Sequence, residues 1–460
     1  MISLGALLDG PVFAGYVYSY PHKTAYRQLE PPRQLRSVWS DERRESLFLY
    51  LHVPFCEYRC GFCNLFTRAT PPEQMASDYL IQLQREAEAV RDELGDCSFG
   101  QLAIGGGTPT FLTDKELTQL LAIVTDTMGA DPTAMPVGVE CSPATATASK
   151  LQLLREWSVD RISIGVQSFD DSESASMGRP QDHRESMAAL DRISEEGFAI
   201  RNIDLIYGAA GQTPRGFARS IETALRWSPE ELYLYPLYVR PLTGLGRRGD
   251  SWDDERLQCY RAGRDTLLSA GYEQVSMRMF RRIAGPGLAS GDGAQLGHPE
   301  ANSSRRTPSS EYVCQRDGMV GLGCGARSYT RRLHYSTEYA VGRSGVHEIL
   351  SAYLARPAHE FRSARHGIAL GEEDQQRRYL IMSLLQAEGL SLAEFSSRFP
   401  DVIDARAAFP ELGELESAGF AVDEGDRFRL TPAGLERSDA IGPWLYSAHI
   451  RSLMEQYTCR

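Results

Sequence analysis

The stretch LFLYLHVPFCEYRCGFCNLF, residues 47–66, joins an apolar run to three closely spaced cysteines. The run at 47–55 is composed almost entirely of apolar and aromatic residues, which predicts a buried strand. The loop that leaves this strand carries Cys56, Cys60 and Cys63, spaced Cys-x3-Cys-x2-Cys. Three thiolates can hold three irons of a [4Fe–4S] cluster and leave the fourth iron open. A zinc knuckle or a chance cluster is the alternative, but structural zinc usually has four ligands, and no histidine or fourth cysteine follows closely.

An iron with an open position gives this pattern a specific chemistry. Such an iron can bind the amino and carboxylate groups of S-adenosylmethionine (SAM) and pass an electron to its sulfonium. The product would be a 5′-deoxyadenosyl radical, whose chemistry belongs to the cofactor and not to protein side chains.

The segments that follow predict an α/β fold. Five further strand candidates are rich in Val, Ile, Leu and Tyr and lie at 102–107, 137–141, 161–168, 201–208 and 231–239. Amphipathic helical segments separate them, including 73–94 and a segment that begins with the capping-box pattern at Thr113. Thr213 and Pro214 begin a third. Six βα units predict an open, partial (β/α)6 barrel with its chemistry at the carboxyl ends of the strands.

Composition sets the limits of the remaining segments. We predict an N-terminal arm, the partial barrel, an exposed and mobile insertion rich in Gly, Pro and Ser, a barrel-associated extension, and a small helical domain that resembles a winged helix and ends in a hairpin. In that order these are residues 1–46, 47–282, 283–310, 311–366 and 367–460.

Charge and hydropathy restrict the partners and the location. The net charge of −12 argues against an extended nucleic-acid grip, which needs a basic stripe. No stretch has the eighteen or so apolar residues of a membrane helix, and the start lacks the features of a signal peptide. We therefore expect a cytoplasmic protein with no nucleic-acid or membrane partner, in which the nine cysteines are reduced.

Polar and glycine residues at the strand ends predict a binding site. Gly105–Gly107, followed by Thr108, ends the second strand, where glycine lets backbone approach a ligand. Carboxylates that can bind a ribose hydroxyl or an ammonium group, an amide, and an arginine that suits a carboxylate lie at or soon after later strand ends. These are Glu140, Asp204, Gln167 and Arg179. Each alone could equally be a helix cap or a loop ion pair, but together they form a candidate binding set.

These motifs give the chain a resemblance to the oxygen-independent coproporphyrinogen III oxidase family of radical SAM enzymes. The matching elements are YLHVPFCEYRCGFC, GGGTPT, RISIGVQSF, NIDLIYG and GLGCGARS. The resemblance implies that Cys56, Cys60 and Cys63 bind the cluster. It also implies a set of SAM contacts: Gly106, Gly107, Thr108, Glu140, Gln167, Arg179 and Asp204.

Three departures from that family favour a different reaction. The oxidase proper usually has a further cysteine where this chain has Leu65, and its N-terminal substrate segment is replaced by GYVYSYPHKTAYR. The related haem-chaperone branch carries His-Asn-x-x-Tyr-Trp where this chain has LHYSTEYA. We therefore predict the branch of C-methyltransferases and cyclopropanases, which transfer a methyl or methylene group to an unsaturated or aromatic carbon of a natural-product precursor.

Two alternatives stay open beside that prediction: oxygen-independent coproporphyrinogen III oxidase and haem chaperone. The predicted branch resembles the oxidase but uses two SAM molecules, and residues 235–240 (Tyr235 to Arg240) are candidates for the second site, with core packing the favoured alternative. The expected partners are a small-molecule substrate and an electron donor such as flavodoxin or ferredoxin.

Two further groups of residues remain ambiguous. Tyr20, His22, Lys23 and Tyr26 in the N-terminal arm could cover the cluster, bind a substrate carboxylate, or belong to a surface arm. Two downstream cysteines, Cys314 and Cys324, could be extra ligands, although buried structural cysteine is commoner.

Overall fold

A computed structural model describes residues 4, 10–17, 19–239, 242–245, 253–283, 312–402 and 404–458. Almost all of the predicted mobile insertion at 283–310 lies outside the described residues, as does Arg240. Within the described residues, no helix is long and apolar enough to cross a membrane.

The strands are short and follow the sequence closely. In chain order they are β1 (Arg27–Gln34), β2 (Leu47–Val53), β3 (Phe55–Cys56), β4 (Arg68–Ala69), β5 (Phe99–Gly106), β6 (Val137–Cys141), β7 (Arg161–Gln167), β8 (Ile200–Tyr207), β9 (Glu231–Pro236), β10 (Tyr272–Gln274), β11 (Met279–Arg282), β12 (Met319–Leu322), β13 (Arg327–Tyr329), β14 (Leu333–Ser336), β15 (Ser363–Ala369), β16 (Leu390–Ser391), β17 (Ala421–Asp423) and β18 (Arg427–Leu430).

One mixed sheet of thirteen strands dominates the fold, in the order β1-β15-β14-β13-β12-β2-β5-β6-β7-β8-β9-β11-β10. The six predicted strands are neighbours in it and pair in parallel from β2 through β9, which confirms the predicted partial barrel. β12 extends the parallel part beside β2. Antiparallel strands, which the sequence did not predict, flank both ends because short hairpins return the chain to the sheet.

Helices connect the parallel strands and form the second domain. They are α1 (Leu35–Trp39), α2 (Glu73–Leu94), α3 (Asp114–Ala122), α4 (Ala148–Glu156), α5 (Asp171–Ser176), α6 (His183–Glu196), α7 (Pro214–Ala224), α8 (Asp253–Ser269), α9 (Arg343–Leu354), α10 (Glu372–Leu384), α11 (Leu392–Arg398), α12 (Ala405–Ala408), α13 (Glu411–Ser417), α14 (Pro432–Leu435), α15 (Ser438–Trp444) and α16 (Ala448–Glu455).

The helix starts agree with the local chemistry of the sequence. Thr113 and Glu116 form a complete capping box at the start of α3, with each side chain bonded to the other's backbone N–H. Thr213 accepts a hydrogen bond from the N–H of Gly216, and Pro214 occupies the first position of α7. α2 buries the apolar face predicted for 73–94 against the sheet.

Residues 367–460 contain the predicted hairpin, because β17 and β18 pair antiparallel and β16 joins them in a three-stranded sheet. Their apolar side chains form a core of their own, which also includes Tyr20, Ala25 and Tyr26 from the N-terminal arm. The alternative of a surface arm is therefore wrong for these residues: the Tyr20 hydroxyl donates to Asp374 at 2.5 Å inside this core. The arm continues into β1, which pairs with β15.

Candidate cluster and SAM site

The three cysteines lie at the carboxyl end of β2, where each sulfur contacts a polar group. The Thr108 hydroxyl donates to Cys56 Sγ at 3.5 Å, and the Arg179 guanidinium donates to Cys60 Sγ at 3.2 Å. The hydroxyl of Thr67 lies 3.6 Å from Cys63 Sγ. Hydrogen bonds to ligating sulfurs stabilise their negative charge and tune a bound cluster.

The arrangement of the three sulfurs argues against a preformed site for a single zinc ion. Four thiolates around one zinc lie about 3.8 Å apart, given a Zn–S distance of ~2.3 Å. Within the described part of the chain, three metal-ligating side chains come within 4.8 Å of one another only at Asp171, Asp182 and His183, and not at the cysteines. The cysteine loop therefore does not have the compact arrangement of a preformed zinc site.

Burial favours the protonated form of two of these thiols, Cys56 and Cys60. It raises the pKa of Cys56 to about 12 and raises the pKa of Cys60, in each case against the opposing effect of nearby donors. Thiols bind metals as thiolates, so cluster assembly must displace their protons. The chemistry of the donors fits an iron–sulfur cluster, whose positive irons would hold the sulfurs deprotonated.

The glycine run packs against the cysteine loop. A Cβ atom on Gly107 would lie 2.5 Å from the carbonyl oxygen of Phe55 and 3.0 Å from Cys56 Sγ, so only glycine fits there. The N–H of Gly107 donates to the Val53 carbonyl at 2.8 Å, and that of Thr108 donates to Phe55 at 2.8 Å. Of the predicted SAM contacts, these two are thus placed beside the cluster ligands.

The cysteine loop is also held from its other side. The N–H of Gly61 donates to the Met177 carbonyl at 3.0 Å, and its carbonyl accepts from the N–H of Leu245 at 2.8 Å. A Cβ at position 61 would lie 2.7 Å from the Met177 oxygen. Backbone contact on both sides fixes the loop before any cofactor binds.

Arg179 is buried and occupies the space between the cysteine loop and β7. Besides contacting Cys60 it donates to the Gly165 carbonyl and to Gln181, each at 2.6 Å. Gln167 follows Gly165 at a bulge in β7 and has a φ of +72°, unusual for a residue with a side chain. The structure brings these predicted residues together, but it places Arg179 against Cys60, a predicted cluster ligand.

The two predicted carboxylates lie inside the barrel. Glu140 projects into the central cavity and accepts a hydrogen bond from the N–H of Gly106 at 3.1 Å. Asp204 accepts from the Asn202 amide at 2.7 Å. The Glu140 side chain is open to the cavity, but the surrounding protein desolvates both carboxylates: this raises the pKa of Glu140 to about 7, with repulsion from Asp204 adding to it, and raises the pKa of Asp204 to about 6. A cationic or hydroxyl-bearing ligand would favour their ionised forms.

The cavity beside these carboxylates measures about 350 Å³ and is polar at both ends. Arg327, His334 and Arg378 line it together with Glu140 and Asp204. Sequence reasoning missed these three basic residues, although two lie in motifs it singled out, GLGCGARS and LHYSTEYA. No local pattern marks Arg378, which comes from α10 of the second core.

The remaining candidates fall into two environments. Cys324 is fully buried, as a structural cysteine should be, and its N–H donates to Tyr79 at 3.1 Å. Cys314 is half-buried and lines the cavity, as do Tyr20 and Tyr235. Lys23 is buried and donates to the Gly325 carbonyl at 2.5 Å.

Comparison with known proteins agrees with the predicted fold and class of enzyme. The Radical SAM superfamily model matches residues 50–224, and the HemN C-terminal domain model matches residues 370–436. Coproporphyrinogen III oxidase (HemN) from Escherichia coli, a radical SAM enzyme, has the same fold, with a TM-score of 0.73 at 22% identity over 96% of this chain and 98% of that one. The protein is a radical SAM enzyme, with a [4Fe–4S] cluster and SAM as its cofactors.

Two curated relatives show which radical SAM proteins the chain is similar to. The oxygen-independent coproporphyrinogen III oxidase of Pseudomonas aeruginosa is 28% identical over 446 residues, which cover 95% of this chain and 89% of the relative. The heme chaperone HemW of Bacillus subtilis is 33% identical over 194 residues, which cover 42% of this chain and 51% of the relative. The chain thus carries the Radical SAM and HemN C-terminal domains, and these relatives are an oxygen-independent coproporphyrinogen III oxidase and a haem chaperone.

These relatives separate the predictions. The radical SAM class and both cofactor types are confirmed. The more specific prediction of a C-methyltransferase or cyclopropanase gains no support, because the relatives described above are named as oxidases or a haem chaperone, and the oxidase alternative is the better supported. The individual site residues, the second SAM molecule and the electron donor stay predictions.

Proposed function

We propose that this enzyme catalyses an oxygen-independent oxidation of the coproporphyrinogen III oxidase type, the oxidative decarboxylation of a porphyrinogen-like substrate. The likeness to the Pseudomonas aeruginosa oxidase over 95% of this chain carries the proposal. A likeness restricted to the barrel would support only the radical step that all members of the superfamily share. Here it includes the C-terminal domain, whose side chains line the cavity.

The residues of the cysteine loop would hold the cluster. We assign Cys56, Cys60 and Cys63 as its ligands, with Thr108, Thr67 and the Arg179 guanidinium as donors to their sulfurs. When bound, the cluster and SAM would supply a 5′-deoxyadenosyl radical, formed together with methionine by one-electron reduction of SAM, that can remove a hydrogen atom from the substrate. Three protein ligands leave the fourth iron open for SAM.

The strand ends would bind and orient SAM. Gly107 and Thr108 lie beside the cysteine loop, and with Gly106 they would form the backbone wall for SAM, while Glu140 and Asp204 would offer carboxylates to ribose hydroxyls or the ammonium group. Gln167 and Arg179 close the side nearest β7. The C-terminal domain contributes Arg378 and Met382 to the wall of the cavity.

Leu65 keeps one-carbon transfer as a rival function. At this position the oxidases usually carry a cysteine, and here the leucine side chain is 52% exposed beside the cluster loop. An exposed leucine cannot donate a hydrogen bond or ligate iron, so a role of that cysteine in decarboxylation would be lost. This observation favours methyl or methylene transfer as the second candidate.

Product analysis separates the functions. The reconstituted enzyme is incubated without oxygen with reductant, SAM and coproporphyrinogen III, and Cys56→Ala is the control without an intact ligand set. Decarboxylated porphyrinogen together with 5′-deoxyadenosine supports the oxidase. Formation of S-adenosylhomocysteine beside 5′-deoxyadenosine would instead support one-carbon transfer, and stable haem binding without turnover would favour a chaperone.

A further inference from the structure

Two arginines and a histidine form one end of the central cavity. Arg327 and His334 come from β13 and β14, and Arg378 comes from α10. The carboxylates of Glu140 and Asp204 lie on strands of the parallel barrel, so the cavity is acidic toward the barrel strands and basic toward the flanking strands and the C-terminal domain. A ligand that matches this polarity has a cationic or hydroxyl-bearing part and an anionic part.

His334 is the least satisfied polar group at the basic end. Its side chain is only 1% exposed, and neither ring nitrogen has a hydrogen-bond partner among the described residues. A buried polar group without a partner is energetically unfavourable, so such groups point to a missing ligand or water. Burial and the two neighbouring arginines hold its pKa well below the ordinary value.

Arg378 adds a cation that protein carboxylates do not neutralise. Its guanidinium donates to the Cys314 carbonyl at 2.8 Å and lies 4.7 Å from the ring centre of Tyr329. Throughout the described ranges, no carboxylate forms an ion pair with Arg378. The same Tyr329 ring packs against His334 at 5.3 Å, so the guanidinium and the imidazole share one aromatic support.

We propose that Arg378 and His334, with Arg327 beside them, form a subsite for a carboxylate group of the substrate. A carboxylate would accept a hydrogen bond from the imidazole N–H and pair with the guanidinium, which satisfies both groups at once. The inference rests on the proposed function, since an acidic substrate is what the subsite would select. It assigns substrate binding to an arginine of the C-terminal domain.

Binding of coproporphyrin III, the stable oxidised form of the proposed substrate, tests the subsite. Reconstituted holoenzyme is titrated with coproporphyrin III and with its tetramethyl ester, following porphyrin fluorescence. Arg378→Gln and His334→Gln should each weaken binding of the acid about 10-fold or more and leave binding of the ester unchanged. Arg378→Lys, which keeps the charge, should recover part of the loss, and Arg332→Gln, an exposed arginine on the same hairpin, should have no effect. Equal weakening of acid and ester, or no weakening, would overturn the subsite.

A second measurement, of SAM affinity, tests whether the bound carboxylate belongs to the substrate or to SAM. The affinity for SAM should be the same in wild-type enzyme and Arg378→Gln. A loss of SAM affinity with coproporphyrin binding unchanged would assign the carboxylate to SAM and overturn its assignment to the substrate.

A third measurement, of glutarate binding, distinguishes failure of the subsite from failure of the proposed function. If wild-type enzyme binds no coproporphyrin, the porphyrinogen oxidase proposal fails, and glutarate becomes the probe. Thermal stabilisation of wild-type and Arg332→Gln enzyme by glutarate, absent in Arg378→Gln, would retain the carboxylate subsite. If glutarate stabilises none of them, the subsite fails as well.

Discussion

The cluster side of the site and the basic side of the cavity are built in different ways. The cluster side comes from one loop of eight residues, Cys56 to Cys63, packed on the strand ends beside it. The basic side takes Arg327 and His334 from flanking antiparallel strands and Arg378 from the C-terminal domain. The first side resembles the superfamily as a whole, whereas the second can differ among enzymes that share the radical step. Chemistry and substrate choice are therefore separable here.

Removing one cluster ligand should have the largest effect and should leave the basic side intact. We expect Cys56→Ala, Cys60→Ala or Cys63→Ala to lose the ~400 nm absorbance of thiolate-bound iron–sulfur and the formation of 5′-deoxyadenosine. Cys314→Ala, which changes a thiol on the cavity wall, should keep both. Cluster loss in Cys314→Ala with retention in Cys56→Ala would reverse the ligand assignment.

The sequence predicted the cluster side because its determinants are local. Cysteine spacing, the glycine run and the six apolar strands lie in short windows, and a parallel sheet brings their carboxyl ends to one edge. The backbone contacts of Gly107 could be expected from its position, although not its clash with Cys56.

The basic side could not be predicted in this way. Arg378 lies on an ordinary polar stretch of α10, and only the docking of that helix brings it to a barrel cavity. Likewise the flanking strands and the burial of Tyr20 and Tyr26 depend on pairings between distant segments. Arg179 was found, but its contact with Cys60 depends on the packing of two separate loops.

Removing an ion pair that joins the C-terminal domain to the barrel should have the next largest effect. Buried Asp439 of α15 pairs with Arg278 at 2.6 Å and accepts from Tyr238. Asp439→Ala leaves the buried guanidinium without its partner, so we expect the free energy of unfolding in urea to fall by about 3–5 kcal/mol. Replacing both partners, Arg278→Met with Asp439→Leu, should restore most of it.

The matched control for the buried Arg278–Asp439 pair is an exposed ion pair. Arg429→Ala breaks a pair with Glu424 whose side chains are both 40% exposed, and its effect on the free energy of unfolding should be much smaller than that of Asp439→Ala. Iron content should be normal in Asp439→Ala. Loss of the cluster there would contradict the separation of the two sides.

Lys23, which is buried near Arg327 of the basic side, should make the stability of the protein depend on pH. Burial, together with the positive charge of Arg327, lowers its pKa to about 7. Between pH 7 and 10 the unfolded chain therefore binds more protons at this residue than the folded one, so its contribution to stability rises with pH. Lys23→Met should be more stable than wild type at pH 7 by up to about 4 kcal/mol, and the difference should shrink toward pH 10.

The control for Lys23 is Lys115→Met, which changes an exposed lysine in the first turn of α3. Its stability relative to wild type should not vary over the same pH range. Urea unfolding at each pH gives the comparison, and a constant difference between Lys23→Met and wild type would rule out a depressed pKa.

The smallest effect should come from Glu140, on the cluster side. Its pKa of about 7 means that SAM, a cation, binds to a largely protonated carboxyl below pH 7 and to a carboxylate above it. Wild-type affinity should therefore rise as the pH rises through 7. Glu140→Gln should keep only the shallower rise due to Asp204, whose pKa is about 6, so that the variant binds about 10-fold more weakly at pH 8.5 and nearly equally at pH 5.5. Equilibrium binding of SAM to the reconstituted enzyme measures this, with exposed Glu222→Gln as the control.

Binding of coproporphyrin by Glu140→Gln should be unchanged if the two sides act separately, because the groups proposed to bind its carboxylate lie on the flanking strands and the C-terminal domain, away from Glu140 on β6. A parallel loss of SAM and coproporphyrin binding would mean that one residue serves both ligands, and the separation of chemistry from substrate choice would then fail.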